Sequence, residues 1–504
     1  MQYIKKLSIN QKIIEGISII ISIIGIITSI KMNLVGRSLW YDEAALAYSF
    51  SQRGFLDLTS EGLDMVQSAP VGWLYIEKLF VSVFGVSDFN MRVLSILFYV
   101  LVLLSIYYIM KVILKSFYKF PAVAFVATLP LILQYSNVFK PYIADAFFCL
   151  LVIIVYDLYV KGKLNIYVLS VIWVVIIWCS SPACFVVGGM LATDFIFALI
   201  EKDKKKAIKS VISGAIVLVG FAVYYFYWLR KVSDGMFGWW GNKNFPLIPT
   251  SVDDLKLMKQ LTEEIFCQFF RWEWLILILF AVTIIYAIYK KNKIIIAIYF
   301  SVLVSLFASF IGMYPINKRI WLFVYPLIII AVFYAINGII EESDKLITKI
   351  MVGIFVIIMP ILNSGIYYYW NNENVYWPEY EVKAEMEYLD SVIRSGDKVY
   401  VLSSAKPMFL FYNDYLDDEL DGLGNEVMIG EYPYNLDIAL DTGLPIDHTA
   451  EYEYIEGSDK CYIVASNTWN TSYDKLYERL SKTGSVQVIY SDYGTPLLLY
   501  EKNK

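Results

Sequence analysis

The sequence has almost no histidine: His448 stands alone in 504 residues. A cage of histidines around a metal is excluded, and without a partner motif so is a Ser-His-Asp hydrolase. Cysteine is scarce too. The five present are Cys149, Cys179, Cys184, Cys267 and Cys461, and none forms a CxxC pair. Four lie in or beside apolar runs, where they read as small packing residues rather than a disulfide framework. Charge is thin at 18% of residues, against about a quarter in soluble domains. The formal net charge is −5, and no basic tract argues for a nucleic-acid partner. There is no internal repeat and no low-complexity segment.

What fills the chain instead is apolar surface, 58% hydrophobic and 17% aromatic. That exceeds the needs of a packed core and points to a lipid bilayer as partner. Eleven runs are long enough to cross about 30 Å of hydrocarbon. They are Ile13–Ile30, Met91–Ile113, Pro121–Tyr135, Pro141–Val160, Asn165–Cys179 and Pro182–Ile200, then Val211–Leu229, Glu273–Tyr289, Ile294–Met313, Ile320–Ile339 and Ile347–Tyr367. Pro121, Pro141 and Pro182 open their runs, where a missing N–H costs nothing. No small-residue cleavage site follows Ile13–Ile30, so it reads as a first span and not as a removable signal.

Lysine sets the orientation. One set of short loops carries Lys5, Lys6, Lys12, Lys111, Lys115, Lys119, Lys161 and Lys163. The same side holds Lys202, Lys204, Lys205, Lys206 and Lys209, then Lys290, Lys291, Lys293, Lys345 and Lys349. The opposite short loops hold only Lys140, Lys318 and Arg319. The lysine-rich side is expected to be cytoplasmic. The N-terminus is then inside, with loops 32–90 and 230–272 and the C-terminus outside.

The predicted fold class is mostly α: a polytopic helical membrane domain over residues 1–370 and a small extracytoplasmic α/β domain over residues 371–504. In the latter, Glu379–Ser391 reads as an amphipathic helix and Ser472–Ser481 as a second helix. Lys398–Ser403 and Cys461–Ala465 read as buried strands, and Val486–Tyr490 with Pro496–Tyr500 as a closing pair.

Four stretches carry unusual charge, all on the predicted outer side. Trp40-Tyr41-Asp42-Glu43-Ala44 places two carboxylates after an aromatic pair. They are either favourable acids in the first turn of a helix or a general base beside the membrane. Gln67-Ser68-Ala69-Pro70 precedes an interfacial apolar segment ending at Gly85, with Arg92 at the mouth of the second span. Arg92 either snorkels to headgroups or holds a phosphate. Lys140-Pro141-Tyr142 leads to Asp145, an acid about one turn inside a span. Asp145 either pairs with Lys140 or belongs to a site. Tyr314-Pro315 with Lys318 and Arg319 puts two cations on the wrong side for the positive-inside trend, for anionic lipid or for a bound phosphate.

In order, spacing and sidedness these stretches resemble the GT-C superfamily of integral membrane glycosyltransferases, nearest the branch of protein O-mannosyltransferases and aminoarabinose transferases. The likeness spans roughly residues 10–370. It implies inverting transfer of a sugar from a polyprenyl-phosphate donor to an extracytoplasmic acceptor, at a bacterial cytoplasmic membrane. Asp42 would be the base, with Glu43 beside it. Gln67, Arg92, Lys140, Tyr142, Asp145, Tyr314, Lys318 and Arg319 would hold substrate and leaving phosphate. Many relatives carry an acid or His just before the Pro of the second block, sometimes serving a metal. Here Gln67, Ser68 and Ala69 take that place, which argues against a tightly bound metal. The resemblance fixes no cofactor, and a divalent cation is left open. Three other readings stand beside this one: a ligase or polymerase of lipid-linked oligosaccharides, a transporter or flippase, and a non-catalytic surface protein whose outer domain binds a partner, which would leave Asp42 and Asp145 unexplained. A transporter would place its polar groups at mid-membrane, often in repeated halves.

Overall fold

The computed structural model describes residues 9–233, 243–267, 269, 273–342, 346–362, 365–366, 381–415, 425–431, 446–466, 473–492 and 495–504. Tyr367, the predicted end of the last span, lies outside the described residues, as do Arg271 and Glu379. The chain gathers into two compact units, each discontinuous in sequence. The first comprises Met1–Leu34, Ser68–Leu79 and Arg92–Asn372, and the second Val35–Gln67, Phe80–Met91 and Glu373–Lys504.

The first unit is built of apolar helices. They begin with α1 (Ile9–Leu34) and continue, after α2 (Tyr41–Gln52) of the other unit, with α3 (Val71–Phe84) and α4 (Asn90–Tyr108). Then come α5 (Lys119–Thr128), α6 (Pro130–Tyr135), α7 (Tyr142–Val160), α8 (Ile166–Cys179), α9 (Ala183–Ile200) and α10 (Lys204–Tyr224). The set closes with α11 (Val252–Phe266), α12 (Glu273–Tyr289), α13 (Lys293–Phe310), α14 (Val324–Glu342) and α15 (Leu346–Leu362). Among the described residues seven helices are long and apolar enough to cross a membrane, and four shorter apolar ones, of 10–17 residues, accompany them where the sequence predicts eleven spans. The protein is a multi-pass membrane protein.

One predicted span divides. Pro121–Tyr135 is two helices, α5 and α6, parted at Leu129. Pro130 cannot donate to the turn before it and restricts Leu129 to an extended conformation, so the helix restarts with proline in its first turn. Packing elsewhere uses small residues and shared hydroxyls, as expected where helices meet in lipid. A Cβ on Gly189 of α9 would fall 2.3 Å from Ser301 Oγ and 2.5 Å from the Ala297 carbonyl of α13. Ser170 and Ser213 join α8 to α10 through their hydroxyls at 2.7 Å. The 230–272 loop carries its own helix, α11, started by a Ser251–Asp254 capping box that the sequence reading passed over.

The second unit holds a five-stranded sheet of order β2-β1-β3-β5-β4. Its strands are β1 (Lys398–Val401), β2 (Glu426–Ile429), β3 (Lys460–Val464), β4 (Gly484–Asp492) and β5 (Thr495–Lys502). β1 pairs with β2 and β3 in parallel, while β5 runs antiparallel to β3 and β4. Among the described residues four helices accompany them: α16 (Val382–Val392), α17 (Lys406–Tyr415), α18 (Thr449–Glu456) and α19 (Asp474–Leu480). Leu402, Ile455, Ile463, Leu476, Leu480 and Leu498 close one side of the sheet. α2, from the first loop, packs along α17. Ala44, Ala45, Leu46 and Ala47 are fully buried, and the small alanines allow that approach.

Candidate functional site

Of the predicted residues, Asp42, Glu43 and Gln67 lie in the second unit, and the rest lie in the first. Asp42 and Glu43 occupy the first turn of α2, where the helix dipole favours acids. Their environments differ sharply. Glu43 is fully buried. Its Oε2 accepts from the Arg37 guanidinium at 3.1 Å and from the Trp40 N–H at 3.3 Å. It therefore closes the helix start and neutralises a buried cation. Asp42 is half-buried. Burial, and then the charge of Asp42, hold the Tyr41 phenol above its ordinary range, so Tyr41 is a neutral donor at pH 7.

Gln67 is buried, with its side-chain amide donating to the Met65 carbonyl at 3.4 Å. The turn before it is unusual. Met65 and Val66 have φ of 54° and 56°, a left-handed pair that includes a β-branched residue. Asp64 anchors this turn through Ser49 and Arg53, each at 2.8 Å. Such strain persists only where the surroundings over-determine it.

In the first unit, segments far apart in sequence converge. Trp73 of α3 packs on Phe139 with ring centroids 5.5 Å apart. Ser95, one turn after Arg92, donates to the Val138 carbonyl at 2.8 Å. The turns bearing Arg92 and Lys140 are thereby tied together, and both side chains are buried. A Cβ on Gly72 would meet Cys179 Sγ at 2.5 Å and the Trp178 carbonyl at 3.0 Å, so the start of α3 presses on the end of α8. Trp228 donates to the Ala69 carbonyl at 2.8 Å.

The end of α8 leads into Ser180 and Ser181, beside Asp145. Asp145 Oδ1 and Ser180 Oγ are buried and lack a hydrogen-bond partner. Among the described residues Asp145 forms no ion pair, which removes the simple Lys140–Asp145 pairing. The Cys149 thiol is within electrostatic reach of Asp145, as are Tyr224 and Tyr314. Tyr224 and Ser181 share a hydrogen bond at 2.8 Å. Tyr142 stacks edge-on with Tyr135 at 5.1 Å. Together these make a hydroxyl-rich cluster around an underbonded carboxyl. The sequence reading missed Ser180, Ser181 and Tyr224, whose helix ends gave no signal of their own. It also missed Glu77 of α3, fully buried with neither carboxylate oxygen hydrogen-bonded. An acid inside an apolar 14-residue helix is signal enough to have found it.

The late loop is fixed by an acid that the sequence reading passed over. Glu264 of α11 accepts from Asn317 Nδ2 at 3.0 Å and from Lys243 at 3.2 Å. The Ile316 N–H donates to the Lys243 carbonyl at 2.8 Å. Tyr314 donates to the Ile320 carbonyl at 3.0 Å. Lys318 is exposed and Arg319 half-buried. Among the described residues no three His, Cys, Asp or Glu side chains stand together.

Residues 68–228 match the family described as dolichyl-phosphate-mannose-protein mannosyltransferase. No curated protein matches the sequence. Among solved structures, the chain is similar to ArnT from Cupriavidus metallidurans bound to undecaprenyl phosphate. The two are 11% identical over 96% of this chain and 97% of that one, with a TM-score of 0.58. The same protein in its apo state gives 11%, 96%, 98% and 0.57. The Archaeoglobus fulgidus oligosaccharyltransferase, in complex with Zn and sulfate, is 9% identical over 91% of this chain and 69% of its own, with a TM-score of 0.52. At such identities the likeness establishes the fold, which is the GT-C fold.

Proposed function

We propose that this GT-C-fold membrane protein transfers a sugar from a polyprenyl-phosphate carrier to an acceptor hydroxyl outside the cytoplasmic membrane, with inversion. The observation that carries the reading is the division of labour within the acidic pair. Glu43 is fully buried and engaged by Arg37 and the Trp40 N–H, whereas Asp42 beside it is half-buried. The likeness to a structure holding undecaprenyl phosphate supports a lipid phosphate as carrier. The matched stretch 68–228 contains Arg92, Lys140, Tyr142 and Asp145.

In this mechanism Asp42 takes the proton of the acceptor hydroxyl as its oxygen bonds to the anomeric carbon. The bond from that carbon to the carrier phosphate oxygen breaks, and the phosphate leaves with the electron pair. Arg92, Lys140 and Arg319 offset its second negative charge, as preorganised cations do for a developing anion. Asp145 and its hydroxyl neighbours hold the sugar, and the buried Gln67 keeps the second block in place. Lys318, exposed, serves the lipid headgroup.

The test is single-turnover transfer from undecaprenyl phosphates carrying a hexose, a pentose or an aminopentose, with donor binding measured alongside. Asn is nearly isosteric with Asp but cannot take the proton. Asp42→Asn should lose at least ~10²-fold in turnover with donor affinity nearly intact. Turnover near wild type would remove Asp42 from the mechanism.

A further inference from the structure

The α/β part of the chain is not a mere appendage, because one of its side chains grips the first loop at two places. Tyr412 of α17 is fully buried. Its hydroxyl accepts the Leu39 N–H at 2.6 Å and donates to Asp88 Oδ1 at 2.7 Å. Leu39 is also fully buried and Asp88 nearly so. A phenol has one proton to give and lone pairs to accept with, and here both functions are used away from water. Leu39 stands directly before the first turn of α2, which bears Asp42. Asp88 stands at the other end of the loop, before α4 and Arg92.

A second tie runs beside the first. The Ser38 hydroxyl donates to Glu381 at 3.2 Å and accepts the Lys383 N–H at 3.1 Å. Lys383 Nζ approaches Asp88 at 3.6 Å. The start of α16 and the side of α17 thus hold the backbone entering the acidic helix, while α2 lies along α17.

We propose that Tyr412 is a positioning residue, whose two hydrogen bonds fix the height and rotation of the Asp42 helix and join it to the segment leading to Arg92. The catalytic part of this inference rests on the Asp42 reading. The clamp itself does not.

The experiment uses the full-length protein in detergent. Tyr412→Phe removes one oxygen and keeps the ring. Hydrogen–deuterium exchange over residues 38–46 should rise tenfold or more. Single turnover with the active undecaprenyl-phosphate sugar should fall about tenfold, while binding of undecaprenyl phosphate stays at the wild-type value. The acid limb of the pH–rate profile should move, because the carboxylate that takes the proton has lost its fixed surroundings. A purely structural tyrosine would lower the melting temperature and leave both turnover and pH profile at wild type, and that result overturns the proposal. Wild-type exchange overturns the clamp as well. Asp42→Asn is run in parallel, and wild-type turnover there defeats the base assignment alone, since the exchange measurement decides the clamp independently. If Tyr412→Phe does not fold, Asp88→Ala carries the same test. It leaves the phenol bonded to Leu39 only, so raised exchange with lowered turnover supports the proposal and wild-type values for both overturn it.

Discussion

Arg37 and Glu43 form a buried ion pair at 3.1 Å, and the same glutamate oxygen accepts the Trp40 N–H that opens α2. Removing one partner of such a pair leaves an uncompensated charge, at a cost of about 3 kcal/mol or more. Glu43→Gln should therefore lower the melting temperature clearly. Its turnover should fall far less than that of Asp42→Asn. The double variant Arg37→Met/Glu43→Leu should recover part of the stability, because it strands no charge. Thermal unfolding in detergent measures the first effect and single-turnover transfer the second. A larger turnover loss at Glu43 than at Asp42 would move the base by one residue.

Gly72 sets how closely α3 approaches α8. A Cβ there would lie 3.0 Å from both the Cys179 Cα and the Trp178 carbonyl, as well as 2.5 Å from Cys179 Sγ. The sulfur could shift, but the backbone could not. Gly72→Ala should destabilise by about 1–3 kcal/mol, the usual range for overpacking. Adding Cys179→Ala should restore only part of this. Full recovery in the double variant would show that the sulfur alone sets the contact.

Much of this architecture could be read from the sequence. The apolar helices were legible because length and hydropathy suffice for them. Pro130 broke one because a local rule outweighed the run. β1, β3, β4 and β5 were legible as apolar or alternating runs, but β2 was not. It has four residues, Glu426–Ile429, at the sheet edge, and none is fully buried. α17 was missed because Lys406-Pro407-Met408 and the aromatics after it carry little helical pattern. The acidic pair was legible as a motif. Its division of labour was not, because that depends on where Arg37 folds back. Nothing local could show that the first loop and the tail form one unit, since Ser38 and Glu381 are 343 positions apart.

Glu385 of α16 is fully buried in the second unit. Burial pushes its carboxyl up to about 8, although a hydrogen bond from Ser466 opposes the shift. Its Oε1 has no hydrogen-bond partner. An acid whose folded value lies above its unfolded value binds more protons in the native state. The stability it contributes is whole below about pH 4.5 and is lost as pH rises towards about 8. Within that window the slope is at most about 1.4 kcal/mol per pH unit. Glu385→Gln should flatten the fall in melting temperature across this range and be the more stable protein at pH 8. Parallel curves for the two proteins would show that Glu385 does not titrate there.

In the proposed mechanism Asp145 is the acid on which the first unit's part turns. It sits one turn into α7, is 6% exposed, and leaves Oδ1 without a partner. A buried carboxyl in that state costs free energy, which structure alone gives no reason to keep. The residues around it, Ser180, Ser181, Tyr224 and Tyr314, supply hydroxyls of the kind that bind sugar hydroxyls. Asp145→Asn removes the charge and keeps the shape. If the acid served the fold, the variant would melt earlier. If it serves the sugar, the variant should melt at the wild-type temperature or above, while turnover falls at least tenfold, equal to about 1.4 kcal/mol. Ser180→Ala should weaken the same step more mildly, because it removes a neutral partner rather than a charged one. Both variants should bind undecaprenyl phosphate lacking a sugar as the wild type does, and lose affinity only for the sugar-bearing donor. Equal losses for the two lipids would assign Asp145 to the phosphate. An earlier melt with unchanged turnover would return it to the fold.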